Sequence, residues 1–315
     1  MKPIEQKILS LLLTNSRMPD SQVAKALKIS DHQARYYRGR LERGVIEGSE
    51  TVFDFGAVGL REHVIYLKIS HLDEYQKSLH EYFRNHPNIK WVAEIFPEYS
   101  YRVSIVSGKV SEVENIVNDV EVLCEGNVEK AEVMQSREFL KKDNFTDKSM
   151  YRPMTKITLK KKEWELARSI YRDATVSLAE LGKRHGMSIE SVRQSLRRME
   201  MCGFIQGYTF TLDKEKAGIT FWAQACIRSS RLAHHLLGIT NLLHSDHSFG
   251  RARRMFGTWN LEIAILAEDY DDLRRLIRKI EALFGPDMKG SSLFITQKKV
   301  VDHQFPVGIR EWVTG

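Results

Sequence analysis

Apolar positions along the chain switch between helical and strand-like spacing in an order that occurs twice. Ile8, Leu11 and Leu12 mark a short helix over Glu5–Thr14, and Val23, Ala24 and Leu27 mark a second that opens near Pro19 or Asp20. A third starts after Ser30, with Ala34, Tyr37 and Leu41 on one face and Gln33 placed to complete a capping box. Gly44 stops it, with room for a left-handed backbone. Val45-Ile46 and Thr51–Phe55, on either side of Glu47-Gly48-Ser49, predict the two short strands of a wing. From Glu62 the pattern changes to a strand over His63–Ile69, a helix over 72–88 with Tyr75, Leu79 and Phe83, strands over Ile89–Phe96 and Tyr101–Ser107, a helix over Val110–Leu123 and a strand over Val128–Met134. That β-α-β-β-α-β order predicts a ferredoxin-like arrangement, with four antiparallel strands and both helices on one face.

After a polar, charged stretch containing Pro153, the order begins again. Helices are expected over Trp164–Tyr171, from the capping residue Ser177, and from Ser188, the last with Val192, Leu196 and Met199 inward and Gly203 at its end. Ile205–Phe210 supplies the second wing. Strands at 220–227, 249–256, 260–267 and 292–298 then alternate with helices over 230–244 and 269–284. Trp91–Leu140 aligns with Arg251–Val300 at an offset of 160 without a gap, and the helix-turn-helix stretches align at an offset of 158, so the chain reads as a tandem fusion. The expected class is α+β: two winged helix-turn-helix domains (1–60 and 161–217) alternating with two ferredoxin-like domains (61–140 and 218–302), a linker at 141–160 and a tail at 303–315. Each sheet has a face that its helices leave bare. The two sheets are therefore expected to pack on each other as an internal pseudo-dimer, and the uncovered helices and the tail, through Phe305, Val307 and Trp312, to join chains into a dimer or larger assembly.

The residues Leu27-Lys-Ile-Ser30, Ala34 and Leu41-Glu-Arg-Gly-Val-Ile46, matched by Gly186-Met-Ser188, Val192, Met199 and Gly203-Phe-Ile-Gln-Gly-Tyr208, resemble the Lrp/AsnC (leucine-responsive, feast/famine) transcription regulators. The resemblance covers nearly the whole chain, twice. It implies a winged helix-turn-helix that reads DNA, followed by a ferredoxin-like domain for effector binding and assembly. The tandem form departs from typical members. Tyr37 and Ser195 stand where the family usually has Arg, and Arg38 stands where it has an apolar residue, which Leu196 keeps. Either the first copy docks its third helix differently or Arg38 runs its head out to solvent over Leu41. The family's effector site usually includes a Gly and an Asp in the turn between the middle strands. Gly257 keeps the first and Asn260 replaces the second, so the weak effector set is Gly257, Trp259 and Asn260; the first copy has Pro97 and Ser100 at those two places.

Composition sets bounds on these readings. A hydrophobic share of 42% with 28% charged residues is ordinary for a globular chain, and no stretch approaches the apolar length of a membrane span. Met1–Glu5 leads straight into a helix without an apolar signal core, so a cytoplasmic location is expected. Cys124, Cys202 and Cys226 lie far apart beside apolar residues, with no metal-ligand spacing. The net charge is +7 and unevenly shared: residues 1–155 carry 22 Lys and Arg against 23 Asp and Glu, and residues 156–315 carry 26 against 18. That excess is compatible with a polyanionic partner or with a merely soluble surface.

Reading DNA takes a helix that fits the major groove, cations for phosphates and planar donors for base edges. The first copy offers His32, Gln33, Arg35 and Tyr36 outward, with Arg40 and Arg43 nearer the DNA backbone. The second offers Glu190, Ser191, Arg193, Gln194 and Arg197, with Lys183, Arg184 and Arg198 for phosphates. Ser30 and Ser188 would present helix N-termini to a phosphate. A solvated, Arg-rich helix face is the competing explanation. The expected partners are double-stranded DNA, a second copy of the chain and a small-molecule effector, with no membrane. No catalytic triad, paired carboxylates or metal motif stands out, so the chain is read as not an enzyme and as needing no cofactor or metal. The alternatives are a ligand-binding or assembly protein whose helix-turn-helix does not bind DNA, and a decarboxylase like certain haem-biosynthesis enzymes that look like this family. For the latter, Tyr99, Tyr101, His244, His247, Arg251, Arg253 and Arg254 are the candidates. The arginine run would serve as a propionate or phosphate clamp; otherwise it would keep an edge strand soluble.

Overall fold

Serine caps start the helices that the repeat is built on. In the computed structural model, Ser30 accepts a hydrogen bond from the Gln33 N–H at 3.1 Å while the Gln33 side chain accepts the Ser30 N–H at 3.1 Å. Ser188 and Ser177 cap without the reciprocal bond, accepting from the Ser191 and Glu180 N–H groups. The structure describes residues 2–141, 156–302 and 305–306. Most of the expected linker, and the tail residues Val307 and Trp312, lie outside the described residues; Phe305 itself is buried. Contacts divide the chain into two compact units, each assembled from two separate stretches: 1–58 with 144–219, and 59–143 with 220–315.

With elements numbered in chain order, the first unit holds α1 (Pro3–Thr14), α2 (Asp20–Leu27), α3 (Asp31–Arg43) and β1 (Ile46–Phe53), then α6 (Lys161–Tyr171), α7 (Leu178–His185), α8 (Ile189–Met201) and β6 (Ile205–Leu212). The turn after α2 passes through Lys28 at φ 55°, and its counterpart after α7 uses Gly186 at φ 59°. Gly203 is left-handed at φ 76°, but Gly44 has φ −101°, so α3 ends without the left-handed residue expected there.

No hairpin wing forms among the described residues. Ile46–Phe53 is one strand, and it pairs antiparallel with β6 of the other copy, Ser49 opposite Phe210 and Thr51 opposite Tyr208. The expected turn at Gly48 is instead a register shift where the strands come close. A Cβ at Gly48 would lie 3.2 Å from Thr211 Oγ1.

The exchange extends into the cores. Phe210 packs in the first copy's core with Ile8, Leu12, Val23 and Leu41. In return Phe53 lies 4.7 Å from Phe204 and 5.9 Å from Tyr171, ring centre to ring centre. Thr51 Oγ1 donates to the Ile170 carbonyl at 2.6 Å, and Thr209 Oγ1 donates to the Leu13 carbonyl at 2.7 Å, so each strand ties down the last turn of the other copy's first helix.

The second unit holds β2 (Arg61–Ile69), α4 (Leu72–Asn85), β3 (Ile89–Phe96), β4 (Tyr101–Ser107), α5 (Val110–Leu123) and β5 (Val128–Lys141), then β7 (Phe221–Ser229), α9 (Leu232–Ser245), β8 (Phe249–Phe256), β9 (Leu261–Ala267), α10 (Tyr270–Phe284) and β10 (Met288–Val301). The eight strands close into an antiparallel barrel in the order β10-β3-β4-β2-β5-β8-β9-β7. The seams are β5 with β8 and β10 with β3, both between copies. Strands β5 and β10 run past their expected ends at Met134 and Lys298, because the added residues pair with the other copy. Leu140 thereby enters the second copy's core, and Val300 and Val301 enter the first copy's. Buried Lys141 donates to the Leu243 carbonyl at 2.8 Å, placing its charge at the C-terminal turn of α9. The arginine run on β8 is not on an edge, since β8 pairs on both sides. No helix among the described residues is long and apolar enough to cross a membrane.

Phe204, fully buried and in ring contact with Phe53, Phe55 and Trp164, marks where the copies interlock. Phe204→Ala should cost about 3–5 kcal/mol in chemical denaturation.

Candidate nucleic-acid interface

Burial of one stripe decides what α3 and α8 present. Ala34 and Leu41 are buried on α3 with Tyr37 half-buried, and Val192, Leu196 and Met199 are buried on α8. The opposite faces are open. His32, Gln33, Arg35, Tyr36, Arg40 and Arg43 are exposed on α3, and Glu190, Ser191, Gln194, Arg197 and Arg198 on α8, with Arg193 half-buried. Lys183 and Arg184 are exposed on α7.

Being exposed does not make them all free. Arg40 Nη1 sits 3.1 Å from Glu5 Oε1, and the other oxygen of that buried carboxylate accepts the Lys2 N–H at 2.9 Å. Arg198 repeats the tie with buried Glu163, which caps the Lys160 N–H at 2.8 Å, and also donates to the Thr158 carbonyl at 3.1 Å. These two arginines hold the first helix of each copy to the third, so they serve the fold where phosphate contacts were expected. Gln33 spends its amide oxygen on the cap, and Ser191 Oγ lies 2.8 Å from Ser188 Oγ. Arg184 pairs with Glu180 at 2.9 Å and Arg193 with Glu190, local pairs worth little and readily exchanged for phosphate. Arg35 is 3.6 Å from Asp20 with 79% of its side chain exposed. Arg43, Arg197 and Lys183 have no carboxylate within ion-pair distance among the described residues.

Arg38 follows neither of the routes open to it from sequence. Its Nη2 donates to the Met18 carbonyl and its Nε lies 2.6 Å from Asp20 Oδ1, which ties α3 to the turn before α2. The basic surplus divides between the two units as unevenly as between the halves of the sequence. The first unit carries 24 Lys and Arg against 16 Asp and Glu, whereas the second carries 24 against 25. The whole net positive charge therefore belongs to the unit that holds α3 and α8.

The weak effector set is occupied by the fold. Trp259 is buried against Tyr66 and Phe294. Asn260 accepts the Ser229 N–H at 3.0 Å and donates to the Ser229 carbonyl at 2.7 Å. At Gly257, φ is 139° and a Cβ would fall 2.6 Å from Met134 Sδ, so the glycine is there for packing. Of the decarboxylase candidates, Tyr101 bonds His80 at 3.0 Å, Tyr99 is buried and Arg254 pairs with Glu138 at 3.0 Å.

Arg253, fully buried, belongs to a network that the spacing did not flag. It reaches Glu62 at 2.8 Å and Glu262 at 3.1 Å; Glu262 also takes Arg102 at 2.7 Å and the Tyr66 hydroxyl at 2.9 Å. The available signal was a charged residue inside an apolar strand, Arg102 and Glu262 occupying the same place in the two copies at the offset of 160. Burial alone would raise the Glu262 carboxyl, but Arg102 and Arg253 outweigh it, helped by Tyr66, and hold it at about 2. Glu62 is likewise held far below the carboxylate range against burial, by Lys90, Arg253 and Arg251.

No protein-family model matches the chain. An uncharacterised HTH-type transcriptional regulator of Pyrococcus horikoshii is 28% identical over 129 residues, 40% of this chain and 80% of that protein. The HTH-type transcriptional regulator LrpA of Mycobacterium tuberculosis is 36% identical over 53 residues, 17% of this chain and only 35% of that protein. Among solved structures, the siroheme decarboxylase NirDL superposes with a TM-score of 0.67 over 96% of this chain and 94% of its own, at 13% identity, a likeness of fold. That match overturns the expectation that the chain is not an enzyme, because the same fold, over its full length, is used by one.

The depressed carboxylates set a pH dependence. A carboxylate whose pKa is lowered by folding stabilises the fold above its unfolded value, and that stabilisation fades as pH falls toward the folded one. Stability should thus be level from about pH 7 to pH 5 and fall between about pH 4 and pH 2. Glu262→Gln should lose about 3–5 kcal/mol at neutral pH, since two buried arginines lose a counter-charge, and should flatten the acid limb in urea titrations.

Proposed function

We propose that the chain is a sequence-specific DNA-binding transcription regulator, with α3 and α8 as its two reading helices. One observation carries this reading: two equivalent capped helices, buried along the same stripe, present cationic and planar polar side chains in the unit that holds the entire positive excess. The naming of both matched relatives as HTH-type transcriptional regulators supports it. In this reading residues 1–60 and 161–217 are helix-turn-helix segments joined by a shared strand pair, and 61–140 and 218–302 are ferredoxin-like segments that close the barrel. A further copy of the chain and a small-molecule effector complete the set of partners.

The heads differ in their reading chemistry. Arg35 and Arg193 occupy equivalent positions and suit guanine, whose O6 and N7 take a guanidinium side-on. Their neighbours diverge. Tyr36 corresponds in the repeat to Gln194, which suits adenine, and His32 to Glu190, which suits the cytosine amino group. A single chain should therefore favour an asymmetric site.

A second reading, a tetrapyrrole decarboxylase, draws on the full-length fold likeness to NirDL, which has also been solved with an iron-uroporphyrin III analogue. Absorbance titration with iron uroporphyrin separates the two readings: a saturable shift of the pigment band would favour the second.

For the first, Arg193→Ala with Arg197→Ala should weaken binding to a labelled mixed-sequence duplex and lower the slope of log K against log salt by about 0.9 for each phosphate that is no longer neutralised, with circular dichroism and melting unchanged. Arg40→Ala should do the reverse, losing roughly 1–3 kcal/mol of stability as buried Glu5 goes unpaired while keeping the salt slope. Fluorescence anisotropy and thermal melting read the two effects. If the double variant matches wild type in affinity and slope, α8 does not read DNA.

A further inference from the structure

A groove of about 1060 Å³ opens in the first unit between the α1–α2 turn and β1 of one copy and the α6–α7 turn of the other. The repeat supplies its own control for what packing requires there. At the offset of 158, Ser16, Arg17, Asp20 and Arg38 of the first copy correspond to Ala174, Thr175, Leu178 and Leu196 of the second. The fold accepts alanine and leucine at three of these places, and the first copy has made them polar.

Asp20 and Arg38 form an ion pair at 2.6 Å. Ser16 and Arg17 are not satisfied. Ser16 is 1% exposed and lines the groove, and its Oγ has no hydrogen-bond partner among the described residues. Arg17 is fixed by its Nε, which donates to the Ala174 carbonyl, and by its guanidinium lying 3.8 Å over the Tyr208 ring. Its Nη2 is buried without a partner among the described residues. Packing alone does not explain an orphan hydroxyl and an orphan guanidinium nitrogen on consecutive residues, where the sister copy has a methyl group and a threonine. Both are donors that an anionic oxygen would satisfy.

We propose that this groove binds a small organic anion, its carboxylate or phosphate group held by Arg17 Nη2 and Ser16 Oγ. The rest of the wall fits an apolar body, with Met18, Ile46 and Phe210 lining it. Glu42, Glu47 and Asp173 also line the groove and weigh against a doubly charged phosphate more than against a carboxylate. An occupant would press on the turn that Arg38 and Asp20 tie to α3, so binding would bear on the first reading helix. The site does not depend on the DNA reading, and its test contains no DNA.

The test is thermal melting and calorimetric titration of the full chain at constant chloride with three probes of one body: benzoate, phenyl phosphate and uncharged benzyl alcohol. Wild type should bind at least one anion saturably and the alcohol not at all, with benzoate or phenyl phosphate preferred according to whether the head group is a carboxylate or a phosphate. Ser16→Ala and Arg17→Thr, which install the second copy's own residues, should each weaken that binding roughly tenfold or more. The unliganded melting point of Ser16→Ala should be unchanged or higher, and if Arg17→Thr fails to fold the serine variant decides alone. Arg193→Ala with Arg197→Ala should bind the anion as wild type does. Absence of binding to wild type, equal binding by Ser16→Ala, or loss of binding on changing α8 would each overturn the proposal.

Discussion

Phe210 from the second copy fills the core of the first, while Phe53 and Phe55 from the first close over Phe204 of the second. The second unit repeats the exchange: Leu140 packs in the later copy's core, and Val300 and Val301 pack in the earlier one's. Each copy thus leaves apolar surface that only the other covers. A strand that pairs across copies also satisfies its backbone groups there, as β1 does with β6 and as β5 and β10 do at the barrel seams. The reading helices are consequences of this exchange. Buried stripes on α3 and α8 fix their outward faces, and Arg40 and Arg198 tie each to the helix that opens its own copy.

Fusion lets equivalent positions become unlike partners. Arg102 and Glu262 stand at the same place in the repeat and meet at 2.7 Å; Tyr66 and Cys226 do the same at 3.2 Å. In a pair of identical copies, that first position would bring two arginines or two glutamates together in a buried site, at a high cost. The same freedom appears in the first unit, where Ser16, Asp20 and Arg38 answer to Ala174, Leu178 and Leu196, and on the outward faces of α3 and α8, which share Arg35 and Arg193 but few other residues.

Much of the fold was legible because most elements bury a stripe built from their own residues. Ile8 with Leu12, Val23 with Ala24, and Val192 with Leu196 mark helices whatever they pack against. Partners were harder to see. The stretch around Gly48 has the composition of a hairpin turn, and only the opposing Thr211 reveals it as a close strand approach. The ends of β5 and β10 break the alternation of their own sheets because they answer to another. The candidate site divides along the same line. Spacing put Arg35, Arg40, Arg43, Arg197 and Arg198 outward, and these are exposed, while Arg193 is half-buried. It could not tell Arg197, with no carboxylate partner among the described residues, from Arg198, committed to a glutamate remote in sequence. Ion-pair choice leaves no period in a sequence, so Arg40, Arg198 and Arg253 were all credited with contacts to ligands that the fold itself uses.

Whether two unlike helices read DNA from one chain is decided by selecting duplexes from a random pool with the purified full chain, at about 150 mM salt to suppress binding to phosphates alone. Two reading helices predict enrichment of a motif with two different half-sites, or of such a motif repeated as a palindrome if two chains bind together. Folded protein that enriches no sequence over the starting pool would contradict that reading.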